Sequence, residues 1–129
     1  MKIYTSYFAN IKNLPDNIVP ISISGKPPGG FKGLEYKKLA PKMAFFQVWK
    51  ETGDDNYYIR HYFHDVLDNL KYEDVIKELT VMANGKDIAL ICYEKPEDFC
   101  HRHLVASWLG DYGIEVKEIE VRKEKGKWS

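Results

Sequence analysis

The twelve residues Cys92-Tyr93-Glu94-Lys95-Pro96-Glu97-Asp98-Phe99-Cys100-His101-Arg102-His103 hold two thiols, two imidazoles, a guanidinium and three carboxyl groups. The segment leaves an apolar run, crosses a proline-containing loop and enters a helical pattern. Helix N-termini present free amide donors and a partial positive charge, so they hold anions and depress thiol pKa values. Cys100 in that first turn, beside His101 and Arg102, meets the physical requirements for a reactive thiolate. The chemistry this predicts is nucleophilic. Cys100 is the candidate nucleophile, His101 the general acid/base, Glu94 an orienting or second acid/base group, and Arg102 the anchor for an anion.

At ~100° per residue, His101, Leu104, Val105 and Trp108 share one helical stripe, which must face the sheet. Cys100 and Arg102 flank it, and His103 points mostly to solvent. Inert readings stand beside these. Cys92 and Cys100 also suit the role of small buried hydrophobes, His101 that of a core histidine bonded to backbone, and Glu94 that of a surface cap. Zinc accepts thiolate and imidazole ligands. However, the Cys-x7-Cys-His-x-His spacing is not a standard ligand pattern, and neighbours such as Cys100 and His101 diverge on a helix. No metal ligand is therefore assigned.

Positioning these groups requires strands and helices in alternation. Ile3 to Phe8 and Ile18 to Ser24 read as strands, the second at an edge or bulged because Pro20 lacks an amide donor. Gly25 to Gly33 is a breaker-rich loop, and Leu34 to Lys42 has no clear pattern. Met43 to Lys50 reads as a short helix ended by Gly53. Asp54 to Leu70 reads as a long one with Ile59, Tyr62, Phe63, Val66, Leu67 and Leu70 on its buried stripe, and Tyr72 to Met82 as a third. Lys86 to Tyr93 resembles a central strand buried on both faces. Asp98 is placed to cap a helix reaching about Gly110, and Ile114 to Ile119 reads as a closing strand. The expected fold is α/β: a single-domain, Rossmann-like layered fold with a mostly parallel sheet over residues 1–121, followed by a polar tail at 122–129. In such sheets ligands bind beyond the carboxyl ends of the strands. That rule adds Ser6, Tyr7, Ser24 and Lys26 to Cys92 and Arg102 as expected ligand-binding residues.

The chain has 129 residues, 44% hydrophobic and 29% charged, and a net charge of +0. These values fit one globular domain and exclude a general electrostatic grip on nucleic acid or anionic membrane. One local exception runs from Lys26 to Lys42, where Lys26, Lys32, Lys37, Lys38 and Lys42 stand against Glu35 alone, a net +4. Phe31, Tyr36 and Trp49 are the aromatics that a base would stack on there. No apolar run reaches the ~20 residues that span a bilayer. Two cysteines are too few for a secreted disulfide scaffold, and the N-terminus lacks a leader pattern, so a reduced, cytoplasmic protein is expected.

Leu90-Ile91-Cys92-Tyr93-Glu94-Lys95-Pro96, followed by Phe99-Cys100-His101-Arg102-His103-Leu104-Val105, resembles the signature of the domain of unknown function 488 family: a Leu-Leu-Cys-x-Glu strand end and a Cys-His-Arg helix start. Ile3 to Phe8 and Lys32 to Pro41 are similar to small bacterial and phage members. The resemblance implies a Rossmann-like domain without an established activity, with Cys92, Glu94, Cys100, His101 and Arg102 on motif positions. Many members carry an acidic and basic pair, Asp-x-Arg or similar, after the second strand. This chain has Ser22-Ile23-Ser24-Gly25-Lys26 there, leaving only lysine point charges.

The function expected from all this is binding or processing of a nucleotide-like or other anionic small molecule at the Cys-His-Arg helix start. The alternatives are a nucleic-acid-associated module without catalysis, and a metal-stabilised scaffold. The sequence specifies neither a cofactor nor an oligomeric state.

Overall fold

The structure, a computed structural model, describes residues 1–120. The polar tail expected at 122–129 lies outside the described residues. Five parallel strands form one sheet in the order β3-β2-β4-β1-β5: β1 (Ile3–Tyr7), β2 (Ile18–Ser22), β3 (Leu34–Glu35), β4 (Asp87–Cys92) and β5 (Val116–Glu118). Four helices connect them: α1 (Met43–Thr52), α2 (Asp55–Asp65), α3 (Tyr72–Met82) and α4 (His101–Asp111). This is the expected single-domain α/β fold.

The central strand is β4. Ile88, Leu90 and Cys92 pack into the main core with Phe45, Tyr62, Leu79, Val105 and Leu109 from the four helices. Ala89 and Ile91 point the other way, into a smaller cluster with Tyr4, Phe8 and Ile11. All four helices thus contribute to one face, and the 3-10 segment Phe8–Asn13 covers the other. Strand side chains alternate between faces, so a strand covered on both reads as a continuous apolar run.

Several elements differ from the sequence expectation. The strand β2 is interior, not an edge. Its neighbour β3 pairs only with Ile21 and Ser22, so the stretch holding Pro20 has no strand on that side and its missing donor costs no ladder bond there. The long helix stops at Asp65, where the Asn69 amide captures the Asp65 carbonyl (2.9 Å) and Leu67–Asn69 continues as a 3-10 turn. Tyr58, outside the expected stripe, is buried together with Tyr62. At the other end, Asp54 Oδ1 accepts from the Tyr57 amide (3.1 Å). Replacing Asp54 with Ala is expected to lower stability by ~1 kcal/mol in urea unfolding. An unchanged midpoint would show that this exposed cap contributes nothing. Among the described residues no helix is long and apolar enough to cross a membrane.

Candidate functional site

Cys92 ends β4, and the chain then crosses Tyr93 to Phe99 before α4 begins at His101. Asp98, the N-cap expected from sequence, instead sits in a turn closed by its own amide on the Lys95 carbonyl (3.0 Å). The N-cap is Cys100, with φ −154° and ψ 144°. This extended conformation has a local consequence. Cys100 does not obey the helical wheel, so its side chain does not diverge from that of His101 but turns back toward the end of β4. The two sulfurs meet as a disulfide between Cys92 and Cys100. The free thiols expected from sequence are a bonded pair in this structure.

The imidazole of His101 completes the cluster. Its Nδ1 lies 3.9 Å from Cys100 Sγ, and its Nε2 lies 2.7 Å from the Ile23 carbonyl oxygen. A carbonyl only accepts, so Nε2 carries the proton and Nδ1 presents its lone pair to the sulfurs. Burial lowers the pKa of His101 to about 4, with the nearby Arg102 charge adding to the effect against the opposing Ile23 hydrogen bond. The ring is neutral at pH 7. Ile23 follows β2, so the tautomer is set by a neighbouring strand end.

The donors of Arg102, expected at an external anion, are taken up within the protein. Its side chain is fully buried. Nε and Nη2 bond the two carboxylate oxygens of Glu118 at 3.0 Å each, and Nη1 bonds Cys92 Sγ (3.1 Å) and the Glu94 carbonyl (2.6 Å). Thr5 donates to the same carboxylate (2.6 Å), and the Tyr7 ring lies 5.7 Å from the guanidinium. The wheel placed Arg102 on the flank of α4. Glu118 on β5 draws it inward instead, because a buried guanidinium must be paired. Sequence reasoning missed Glu118: one acidic residue on a half-exposed strand carries no signal of its partner. His103, expected toward solvent, is half-buried. Its Nε2 has no hydrogen-bond partner among the described residues, and burial lowers its pKa.

A cavity of about 470 Å³ opens above the Cys–His cluster. Ser24, Lys26, Cys92, Glu94, Cys100 and His101 all line it. The expected strand-end groups therefore converge, with two exceptions. Ser6 pairs in register with Ile91, whose side chain lies in the cluster on the opposite face, and it accepts a bond from Asn10 (3.1 Å). Parity along β1 excludes it from the cavity. Tyr7 is on the correct face but packs against Arg102. Helix α1 supplies Phe46, Trp49 and Lys50 to the wall, α2 supplies Tyr58, and Phe99 closes the far side. Trp49 and Phe99 stand 5.6 Å apart, ring centroid to centroid. Trp49, named from the sequence as a stacking residue, is in this wall, whereas periodicity gave no reason to assign Phe46 or Tyr58 to a cavity, because aromatics at helical spacing also serve as core.

The lysine-rich stretch is partly neutralised. Lys37 pairs with Glu35 (3.0 Å), and Lys38 with Glu78 (2.9 Å). Tyr36 is buried and donates to Glu78 (2.6 Å), so its ring is not a platform for a base. Phe31 lies in a separate groove with Phe8 and Leu34. Lys26 remains at the cavity, where the Tyr93 hydroxyl fixes its carbonyl (2.5 Å).

Fold and site together define a parallel α/β domain in which a cysteine pair and a neutral histidine meet between the end of β4 and the start of α4, beneath an aromatic cavity. The family described as the active DUF488-N3 subclade matches residues 4–113, and the chain belongs to it. No curated protein and no solved structure matches the chain.

Proposed function

We propose that the protein binds and processes an anionic small molecule, one with a planar or apolar moiety, in the cavity above Cys100 and His101. The observation that carries this reading is the meeting of the cysteine pair, an unprotonated imidazole nitrogen and two lysines around one aromatic-walled space. Trp49, Phe46 and Phe99 supply faces for a planar group. Lys26 and Lys50 take the anchoring role that Arg102 does not fill. In the reduced protein the Cys100 thiol passes its proton to His101 Nδ1 as its sulfur forms a bond to an electrophilic centre of the ligand, and the leaving group departs with its electron pair. Glu94, exposed at the cavity, exchanges protons with that leaving group. Cys92, held by Arg102, is the supporting thiol. No observation favours the nucleic-acid module: two of the lysines and Tyr36 are already paired.

Anionic and neutral alkylating agents test the electrostatics directly. After reduction and chelator treatment, the ratio of iodoacetate to iodoacetamide labelling at Cys100 is expected to exceed that of the Lys26→Gln, Lys50→Gln double variant. The expected excess is ~3–10-fold at low salt, shrinking as salt rises. A ratio that neither the variant nor salt changes would overturn the anion reading.

A further inference from the structure

We propose that the reduced Cys92–Cys100 pair and His101 Nδ1 hold one soft divalent cation of the zinc class, with its fourth position open to the cavity. The proposal rests on the cavity as the binding site but not on attack by a thiolate. With the ion in place, the sulfurs are ligands, and the open position takes a water molecule or the anionic group of the bound small molecule.

Four observations support it. The two Sγ atoms and one His101 ring nitrogen lie within 4.8 Å of one another, and all three residues are buried. The donor set is two thiolates and one imidazole, which selects zinc-like ions over magnesium or calcium. His101 already has the arrangement of a metal-binding histidine: its distal N–H is fixed on a backbone carbonyl, and the lone pair of Nδ1 is directed at the sulfurs. The Cα atoms of Cys92 and Cys100 are 7.3 Å apart. Most disulfides span ~4.4–6.8 Å. A tetrahedral ion with ~2.3 Å thiolate bonds would hold the sulfurs about 3.8 Å apart, so the wider backbone separation suits two thiolates converging on a third atom.

The surroundings fit the charge. Two thiolates and a neutral imidazole cancel a divalent ion, and Arg102 donates an N–H to Cys92 Sγ while its own charge is met by Glu118. Among the described residues no fourth histidine, cysteine or carboxylate joins the cluster, so the remaining position faces the cavity that all three ligands line. The spacing in the sequence concealed the site because neighbours diverge on a helix. Cys100 precedes the helix, and its extended backbone removes that objection.

A small dithiol reductant passes two electrons and two protons to the disulfide and becomes a disulfide itself. Binding of the divalent ion then displaces the two thiol protons.

The probe is Co²⁺, added to the full chain after reduction and anaerobic removal of the reductant. The expected result is one ion per chain, thiolate-to-metal charge-transfer absorption, about two protons released per ion, and displacement by Zn²⁺. His101→Gln is expected to weaken binding by at least ~10-fold. Cys92→Ser and Cys100→Ser should each diminish the absorption. The oxidised wild-type protein is a control that needs no substitution, and it should bind no ion at this cluster. Two titratable thiols in reduced protein without the charge-transfer band would overturn the proposal, as would a band retained in the oxidised form. The alkylation ratio above is read on metal-free protein, so it succeeds or fails independently of the ion.

Discussion

Arg102→Met is expected to destabilise the protein by ~3–5 kcal/mol, the cost of removing one partner from a buried ion pair. The guanidinium is fully buried and makes two bonds to Glu118, one to Cys92 and one to the Glu94 carbonyl. The substitution leaves Glu118 partly buried without its cation, and it frees the end of β4 from α4. Removing both charges in Arg102→Met, Glu118→Leu should restore much of the loss, because no unpaired carboxylate then remains. Urea midpoints of the two single variants and the double variant measure this. A single variant within about 1 kcal/mol of wild type would show that the pair is not structural. The same cycle separates two roles for Arg102. If it positions Cys92, alkylation of reduced Cys92 in the double variant will change even where stability has returned.

Stability should fall as pH is lowered from about 6.5 toward 4, by up to ~3 kcal/mol from His101 alone. In the unfolded chain the imidazole has its ordinary pKa of 6.5, and burial brings it to about 4 in the folded protein. Between these values the unfolded state binds a proton that the folded state refuses, so acid favours unfolding. The contribution is fully present above pH 6.5, is lost progressively on acidification, and changes no further below pH 4. The half-buried His103 shifts in the same direction. Exposed His64, raised by its bond to Asp65, works in the opposite sense. Both are common to wild type and His101→Gln, so the difference between the two profiles isolates His101. Parallel profiles across that range would rule out a neutral buried ring.

The apolar run at Ile88 to Tyr93 was enough to place β4 at the centre of the sheet, because a strand covered on both faces shows no alternation. The strand-end rule brought Ser24, Lys26, Cys92, Glu94, Cys100 and His101 to one cavity. It failed for Ser6, where a shift of one residue sends the side chain to the opposite face, and for Tyr7, which packs against Arg102. Arg102 and Cys100 were misjudged for related reasons. The wheel assumes that every residue from Asp98 onward is helical, whereas the backbone is still extended at Cys100. Nor does the wheel contain Glu118, which lies on another strand and decides where the guanidinium goes. Of the aromatic walls the sequence singled out Trp49; Phe46, Tyr58 and Phe99 were not legible because α1 and α2 meet β4 only through tertiary packing.

The acceptor that fixes the proton on His101 belongs to the main chain. Position 23 can therefore drift among buried apolar side chains without disturbing the tautomer, and a mutational scan there would register only packing. The role of Ile23 is carried by an atom that every residue shares, so side-chain replacement cannot reveal it. An ester in place of the Ile23–Ser24 amide would weaken the carbonyl as an acceptor and change the imidazole while leaving every side chain as it is. It would also remove the Ser24 amide, which bonds the Ser22 hydroxyl (3.3 Å). A Ser22→Ala control with the native amide distinguishes the two effects.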